Sequence, residues 1–187
     1  MNLAKKLIPV LRNIKRSIFT NITKFGNLDY NINGEEITIT PHQDQSAIRL
    51  DDIPYADNFI AEFEVKNTII GIGNCTFVYR TTSWGTQGIA YGIGIKSGGY
   101  LFGRQTNTGG SSSYWTELGN GYYSTPINDW IRFKIIINND SHKIFINDEL
   151  KIDIIDGTFL NPGQFGINCY ISEQVKIFRN IKITPIL

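Results

Sequence analysis

Acid–base chemistry is the first possibility that the sequence raises, because Glu62 and Glu64 lie two positions apart in one apolar run. Alternate residues of a β-strand share a face, so the two carboxylates would lie side by side. Hydrolysis of a glycosidic bond requires two carboxyl groups about 5–9 Å apart. However, positions 59, 61, 63 and 65 are all apolar, which is the pattern of a strand with one face in the core and the other in solvent. We favour this second interpretation and predict no catalytic residues.

Metal and thiol chemistry have less support. His42 and His142 lie in polar loop sequence with no Cys or His nearby, so a zinc site is not expected. Cys75 and Cys169 lie in separate apolar runs, and we predict two buried free thiols, with a single inter-strand disulfide as the alternative. Bound Ca²⁺ is possible through loop aspartates, although such residues are more often turn formers. These aspartates are Asp51, Asp52, Asp140 and Asp156.

The glycine-rich stretch Gly92-Ile-Gly-Ile-Lys-Ser-Gly-Gly-Tyr100 raises the question of phosphate binding. In a phosphate-binding loop the lysine follows the glycines and a helix begins there, whereas here the lysine precedes its glycines and a strand-like run follows. The stretch instead predicts a β-hairpin in which Gly98 and Gly99 supply the positive φ angles of the turn. Gly92 and Gly94 then lie on one face of the first strand and leave a shallow trough.

Aromatic and polar residues concentrate in loops near the middle of the chain, and these residue types bind sugars. Aromatic rings pack on the apolar faces of sugar rings, and planar polar side chains bind the hydroxyls. Trp84 and Trp115 lie in stretches dominated by Gly, Ser and Thr, so we expect both to be exposed, with a contact between subunits as the alternative. Trp130 starts an alternating strand and is expected in the core. The predicted sugar-binding residues are Trp84, Trp115, Tyr114, Tyr122, Tyr123, Arg80, Arg104, Gln87 and Asn107.

The elements that must position these residues are β-strands. From about residue 27 onward, apolar residues alternate in short β-branched and aromatic runs, separated by Gly, Asn, Asp and Pro. About eleven or twelve such runs are present, which indicates an all-β sandwich or barrel. We place this body at residues 28–187.

The first 27 residues form a separate segment in this interpretation. Residues 1–24 contain six basic residues and no acid, which leaves 12 of the 18 basic residues and all 17 acidic ones in the remainder. Apolar residues recur at three- and four-residue spacing and predict an amphipathic helix over 9–22. They are Leu7, Val10, Leu11, Ile14, Ile18 and Ile22. A helix this short must bury its apolar stripe to be stable.

We therefore expect residues 1–27 to anchor the body to another protein or to oligomerise it. Packing on the body itself is the alternative, and a membrane or nucleic acid is the least favoured partner. No apolar run reaches transmembrane length. Pro9 and the basic residues interrupt the apolar stretch that a signal peptide would need, so no signal peptide is predicted.

Seven segments, taken in order, carry a resemblance to a known superfamily. They are 46–50 (SAIRL), 57–65 (DNFIAEFEV), 76–80 (TFVYR), 88–104 (GIAYGIGIKSGGYLFGR), 129–150 (DWIRFKIIINNDSHKIFINDEL), 163–168 (GQFGIN) and 175–183 (VKIFRNIKI). Together they resemble the concanavalin A-like lectin/glucanase superfamily, and within it modules of the laminin-G and 3-keto-disaccharide-hydrolase-like kind.

The resemblance implies an all-β, two-sheet antiparallel jelly-roll sandwich, which a short N-terminal amphipathic helix would precede. It covers about residues 28–187. Function does not follow from it, because the superfamily contains lectins, enzymes and spacers. The Glu-x-Asp-x-x-Glu spacing of its laminarinase-type members is absent from the sequence.

We expect a non-catalytic carbohydrate-binding domain that recognises a cell-surface glycan or polysaccharide. The lack of an export signal favours a phage virion component, such as a tail fibre, baseplate or head fibre, and therefore a virion or extracellular location. Other virion proteins would bind through residues 1–24, the protein would be a homo-oligomer, and no nucleic acid would be bound. The alternatives are a glycoside hydrolase or lyase of the same fold, and a purely structural virion or spacer domain.

Overall fold

The computed structural model describes residues 19–68, 75–84, 88–96, 98–107, 113–124, 127–170 and 175–186, with the backbone alone at 75, 107, 113 and 114. Within these ranges, all the regular secondary structure is β-strand, and turns and irregular segments connect the strands. In chain order the strands are β1 (Ile22–Phe25), β2 (Leu28–Asn33), β3 (Glu36–Pro41), β4 (Ser46–Leu50), β5 (Phe59–Asn67), β6 (Cys75–Ser83), β7 (Ile89–Lys96), β8 (Gly99–Asn107), β9 (Ser113–Tyr122), β10 (Trp130–Asn138), β11 (Ser141–Ile146), β12 (Glu149–Ile155), β13 (Gln164–Cys169) and β14 (Lys176–Pro185).

The strands form two seven-stranded sheets with antiparallel pairing throughout. The first sheet has the order β1-β4-β13-β6-β7-β8-β9, and the second has the order β12-β11-β10-β5-β14-β3-β2. Neighbours such as β4 and β13, or β5 and β14, are far apart in sequence, as in a jelly roll. The predicted all-β, two-sheet antiparallel sandwich is confirmed.

The core lies between the two sheets, and alternation in the strands builds it. The exposure of β5 alternates strictly, with Phe59, Ala61, Phe63 and Val65 buried. Phe63 stacks on Phe77 of the first sheet, with ring centroids 4.6 Å apart. Removing this much aromatic surface from water is the main force that holds the sheets together.

Trp130 lies outside this core, contrary to the sequence-based expectation. It is the first residue of β10 and only partly buried. The Arg179 guanidinium carbon and Lys66 Nζ lie 3.8 and 4.5 Å from the centroid of its ring. The indole is therefore a platform for two cations on the outer face of the second sheet, a role that the alternation of β10 alone did not reveal.

The glycine-rich hairpin is confirmed, with one correction. β7 and β8 pair in register, from the Lys96–Gly99 pair beside the turn to the Ala90–Gln105 pair at the other end. Gly98 has a positive φ of 72°, as predicted. Gly99 does not need one: it is already in β8, and a Cβ on it would lie 2.1 Å from the carbonyl oxygen of Gly121. Close approach of β9, rather than turn geometry, is what requires glycine there.

The sandwich begins earlier than residue 28. Phe19 is a buried member of the core. β1 pairs with β4, from the Ile22–Leu50 pair to the Phe25–Ala47 pair. Ile22, the last position of the predicted apolar helix stripe, is therefore in a strand. The rest of that helix, up to residue 18, lies outside the described residues. Among the described residues, no helix is long and apolar enough to cross a membrane.

Candidate functional site

The outer face of the first sheet is unusually low in side-chain volume along one row. The strands pair so that Gly166, Val78, Gly92 and Gly103 lie side by side across β13, β6, β7 and β8. Their sequence neighbours Phe165, Phe77, Ile93 and Phe102 are buried in the core, so this row faces outward. Three glycines in four positions leave a trough across the sheet.

Two tryptophans lie over this glycine row. A Cβ on Gly166 would lie 2.3 Å from the ring of Trp84, and a Cβ on Gly103 would lie 2.6 Å from the ring of Trp115. Gly92 is also near Trp115, with 3.5 Å between its Cβ position and the edge of the indole. Each indole thus occupies space that glycine leaves open. The trough predicted at Gly92 and Gly94 is present, and the sequence did not reveal that tryptophan covers part of it.

A small cavity opens beside Trp115, over the next row of the same face. That row runs from Asn168 through Thr76 and Gly94 to Leu101. The cavity has a volume of about 260 Å³, and its described walls are Thr76, Leu101, Trp115 and Tyr170. Gly94 lies between Thr76 and Leu101 in the register and contributes no side chain.

Three polar atoms on this part of the face are buried without a hydrogen-bond partner in the described chain. They are Thr76 Oγ1, Asn168 Oδ1 and Trp115 Nε1. Thr76 is 1% exposed and Asn168 is 7% exposed, and the two are direct cross-strand neighbours. A buried polar group without a partner costs about 1–3 kcal/mol, so each such group calls for an explanation. Two of the three residues, Thr76 and Trp115, line the cavity.

Tyr170 and Gln105 hold the second aromatic wall in place. The Tyr170 hydroxyl donates a hydrogen bond of 3.0 Å to Gln105 Oε1, and Gln105 is the register partner of Trp115. The Tyr170 and Trp115 rings meet edge to face with centroids 6.1 Å apart. Tyr170 thus reaches from the end of β13, across β6 and β7, to contact one residue in β8 and one in β9.

Trp84 lies on the same face but serves another purpose. Its ring stacks on Phe25 with a 5.3 Å centroid distance and a 6° interplanar angle, and its Nε1 donates a 3.0 Å hydrogen bond to Gln164 Oε1. The Arg49 guanidinium carbon lies 5.7 Å from the centroid of the same Phe25 ring. Trp84 therefore joins β1 to β13 within the protein, which the exposed character of its loop sequence did not indicate.

Arg80 was predicted on the sugar site and instead lies in the protein interior. Its Nη1 donates to the Phe159 carbonyl at 2.7 Å, and its Nη2 donates to the carbonyls of Asp57 and Asn139 at 2.6 and 2.7 Å. Burial lowers the pKa of the guanidinium from its usual value. One arginine thus satisfies three carbonyls from three separate connections, and it lies away from the cavity.

Arg104 also points to the interior, into a polar network at one end of the sandwich. It forms an ion pair with Asp156. The Tyr91 hydroxyl donates to Asp156 Oδ1 at 2.6 Å, and burial raises the pKa of Tyr91 to about 12. Burial would raise the pKa of Asp156, but hydrogen bonds from Tyr91 and Thr158 and the charge of Arg104 outweigh it, and the pKa is lowered.

His142 completes this network as a neutral imidazole. Its Nε2 donates to the Asp156 carbonyl at 3.1 Å, which leaves Nδ1 to accept from the Tyr79 hydroxyl at 2.8 Å. Burial lowers the pKa of His142 to about 4. The network packs the interior, and none of its residues is in the described lining of the cavity beside Trp115.

The remaining predicted residues lie elsewhere or outside the described part of the chain. Tyr122 is 82% exposed at the far end of β9, and the Tyr123 hydroxyl accepts a 2.5 Å hydrogen bond from Asn147 Nδ2. Gln87 lies outside the described residues, as do the side chains of Tyr114 and Asn107. Of the nine predicted residues, Trp115 is the one that we place at the cavity.

The cavity is lined by three residues that the sequence did not single out, Thr76, Leu101 and Tyr170, and Asn168 lies beside Thr76 in the register. A signal was available for two of them. Thr76 precedes the buried Phe77, and Asn168 follows the buried Ile167, so alternation puts both on the outer face. Nothing local indicates that β6 and β13 are neighbours.

Glu62 and Glu64 lie on the outer face of the other sheet. Glu64 accepts hydrogen bonds from Arg179 Nε and, at 2.9 Å, from Asn180 Nδ2. Glu62 lies between Lys134 and Lys182 in the register. Basic cross-strand neighbours thus form a surface charge ladder with the two carboxylates, as the solvent-face interpretation predicted.

Carboxylates do not gather into a metal site in the described chain. There, no group of three or more His, Cys, Asp or Glu residues is arranged to hold an ion. Asp52 accepts bonds from the backbone nitrogens of Asn21 and Thr20, at 2.9 and 2.5 Å, which lower its pKa. Asp51 accepts bonds from Arg49 and Thr23. These aspartates hold the start of β1.

A larger groove of about 450 Å³ lies beside that start, with Phe19, Ile53 and Ile181 among its lining residues. It is a less convincing ligand site than the smaller cavity. No buried polar atom in its described lining lacks a partner, in contrast to Thr76 and Trp115 in the lining of the smaller cavity.

Solved structures with the same fold include several sugar-related proteins. The carbohydrate-binding module CBM66 from Bacillus subtilis superposes with a TM-score of 0.69 at 21% identity, over 88% of this chain and 96% of that one. The Bacillus licheniformis β-glucanase gives a TM-score of 0.61 at 15% identity, over 91% and 97%. A galectin-like protein of unknown function from Bacillus subtilis gives 0.64 at 11% identity, over 87% and 88%.

Identities this low show a common fold and no more. A search of curated protein sequences gives no match. A family model is more informative, because it matches nearly the whole described sandwich: the 3-keto-alpha-glucoside-1,2-lyase-like domain matches residues 19–184. That range begins at Phe19, where the core of the sandwich also begins. The concanavalin A-like resemblance is confirmed, and the chain belongs to the family of 3-keto-alpha-glucoside-1,2-lyase-like domains.

Proposed function

We propose that this domain binds a carbohydrate, without transforming it, in the cavity beside Trp115. The observation that carries the proposal is the set of three buried, unpaired polar atoms: Thr76 Oγ1, Asn168 Oδ1 and Trp115 Nε1. Thr76 and Trp115 line a cavity whose second aromatic wall is Tyr170, and Asn168 is the cross-strand neighbour of Thr76. A sugar offers hydroxyls for the polar atoms and C–H faces for the rings.

The comparisons support a sugar-related function without deciding between binding and catalysis. One protein of the same fold is named a carbohydrate-binding module and another a β-glucanase, and the family itself is described as lyase-like. Binding without catalysis is favoured because no carboxylate lines the described part of the cavity. The one candidate acid pair, Glu62 and Glu64, lies on the opposite sheet.

The test is a glycan array followed by calorimetry on the full chain. Trp115→Ala removes an aromatic wall and a hydrogen-bond donor, and we expect it to weaken binding at least tenfold, as for a buried aromatic anchor. Trp84→Phe is the matched control, because it changes a tryptophan on the same face that contacts Phe25, and its affinity should stay within twofold. Equal binding by wild type and Trp115→Ala, with both folded, would refute the assignment of this cavity.

A glycoside hydrolase or lyase is the second candidate, and the description of the matched family favours it. Turnover on a broad panel of polysaccharides and glycosides, lost in Glu62→Gln or Glu64→Gln, would establish it and displace the binding proposal. We expect no turnover, because both carboxylates have basic neighbours and face solvent.

We further propose that the segment that precedes Phe19 attaches the domain to a larger assembly, that this assembly is a phage virion, and that the protein is a homo-oligomer. The support is the basic, periodic character of the sequence there: residues 1–24 contain six basic residues and no acid, whereas the remainder contains 12 basic and 17 acidic residues. Light scattering on the full chain and on residues 19–187 tests it. A full chain that is monomeric and finds no partner in assembled particles would contradict it. A pure spacer role would be favoured if, in addition, no glycan bound.

A further inference from the structure

We propose that the cavity beside Trp115 selects a single uncharged sugar ring and rejects sugars with a carboxylate. This inference rests on the proposed function and specifies its ligand class. Four described residues line the cavity, and none of them is charged: Thr76, Leu101, Trp115 and Tyr170. Asn168 beside Thr76 is uncharged as well.

The charged groups that the structure describes on this face are not among the residues that line the cavity. Lys96 follows Gly94 by two positions at the end of β7, beyond the described lining. Glu117 pairs with Gly103 on the edge strand β9, is exposed, and accepts a hydrogen bond from Asn120. A carboxylate brought into the cavity would lose water without gaining a counter-ion from the described lining, and burial of an unpaired charge is strongly unfavourable.

The unpaired atoms match hydroxyl groups better than they match an ion. Trp115 Nε1 can only donate, Thr76 Oγ1 can donate and accept, and Asn168 carries both an acceptor and a donor in its amide. A sugar hydroxyl also donates and accepts, so neighbouring hydroxyls of one ring can pair with a mixed set of this kind. A carboxylate only accepts, and it would leave the acceptor capacity of Thr76 and Asn168 unused.

The size of the cavity sets the number of rings. Its volume of about 260 Å³ lies below the roughly 300–1,000 Å³ of pockets that enclose a drug-sized ligand. Its described lining consists of four side chains, two of them aromatic. A cavity of this size holds one ring, and further rings of a longer glycan would lie outside.

Calorimetry on the full chain tests the inference with paired ligands. The probes are the methyl glycosides of glucose, galactose, mannose and fructose, the glucuronic and galacturonic acid counterparts, and the oligomers of the best binder. We expect at least one neutral ring to bind, its acidic counterpart to bind at least tenfold more weakly, and chain length to change the affinity less than threefold. Affinity for the neutral ring should not change between 50 and 500 mM salt, because no ion pair forms.

Thr76→Val is the decisive variant, because valine has nearly the shape of threonine and lacks the hydroxyl. We expect it to weaken neutral-sugar binding at least tenfold and to keep or raise the melting temperature, since a buried unpaired hydroxyl is removed. A purely structural threonine would instead lower the melting temperature when replaced. Thr38→Val, on the second sheet, is the control and should leave binding unchanged.

The outcomes separate this inference from the proposed function. If no glycan binds at all, the proposed function fails and the inference fails with it. If glycans bind and Trp115→Ala abolishes binding, but acidic sugars bind as well as neutral ones, the inference alone is wrong. It is also wrong if affinity rises tenfold or more from one ring to three, because a groove and not a one-ring cavity would then be the site.

Discussion

His142 is a single residue that makes folding stability depend on pH. Because burial lowers its pKa to about 4 from 6.5, the unfolded chain takes up a proton between these values and the folded chain does not. The contribution of the neutral imidazole to folding stability is therefore fully present above pH 6.5 and is lost as the pH drops towards 4. The shift corresponds to roughly 3 kcal/mol at the end of that window.

Replacement of this histidine tests the sign of the effect. We expect His142→Gln to be less stable than wild type at pH 7, because the Tyr79 and Asp156 contacts are altered. Between pH 6.5 and 4.5, its unfolding free energy should decrease much less than that of wild type. Urea unfolding at four pH values measures both quantities. His42→Gln is the control, since His42 is exposed and its ring pairs with the exposed Asp29. An unchanged pH slope in His142→Gln would contradict the prediction.

Arg80 is the residue whose loss should be most damaging. Its guanidinium satisfies the carbonyls of Asp57, Asn139 and Phe159 in the interior. Arg80→Met keeps the length of the side chain but leaves three carbonyls without their donor, and we expect a loss of about 3–5 kcal/mol in unfolding free energy. Arg132→Met is the exposed comparison and removes only a surface pair with Asp148, worth about 0–1 kcal/mol. Similar losses in the two variants would argue against the structural role of Arg80.

At the scale of elements, Trp84 holds an edge strand in place. β1 has one strand neighbour, β4, and the stack of Trp84 on Phe25 ties it to β13 as well. We expect Trp84→Leu to speed hydrogen exchange of the β1 amides at residues 22–25 by tenfold or more, because local opening becomes easier. Exchange in β7 and β8 should not change. If β1 exchanges as slowly as in wild type, the stack is not what retains it.

Element by element, the sequence predicted local structure well and neighbours across the sheets poorly. Alternation in β5 identified Phe63 as core and Glu62 as surface, because this pattern depends only on adjacent residues. The role of Trp84 depended on Gly166 and Gln164, some eighty positions away, and the role of Arg80 depended on carbonyls from three distant connections. Long-range register is set by the packing of the whole sandwich, so no local pattern contained it.

At the scale of the whole molecule, the start of the folded unit is a testable boundary. A chain of residues 19–187 retains Phe19 and β1, whereas residues 28–187 lose a buried aromatic ring and an edge strand. We expect the longer form to match the full chain in unfolding free energy and the shorter form to lose at least about 2–3 kcal/mol. Chemical denaturation of the three chains measures this. Equal stability of the two shortened chains would restore the boundary at residue 28.

The cover that Trp115 provides over the sheet also predicts how relatives of this protein should differ. Positions 103 and 166 are held to glycine by backbone oxygens, since a Cβ there would lie 2.4 Å from the Thr116 carbonyl oxygen and 2.2 Å from that of Ile48. At position 92, a Cβ would meet side chains and no backbone atom among its nearest neighbours: it would lie 3.3 Å from Val78 and 3.5 Å from Trp115. In an alignment, 103 and 166 should therefore stay invariant, while 92 and 115 should covary. Lineages that have exchanged the indole for a smaller residue should carry alanine or serine at 92, and in those lineages the sugar preference should have diverged.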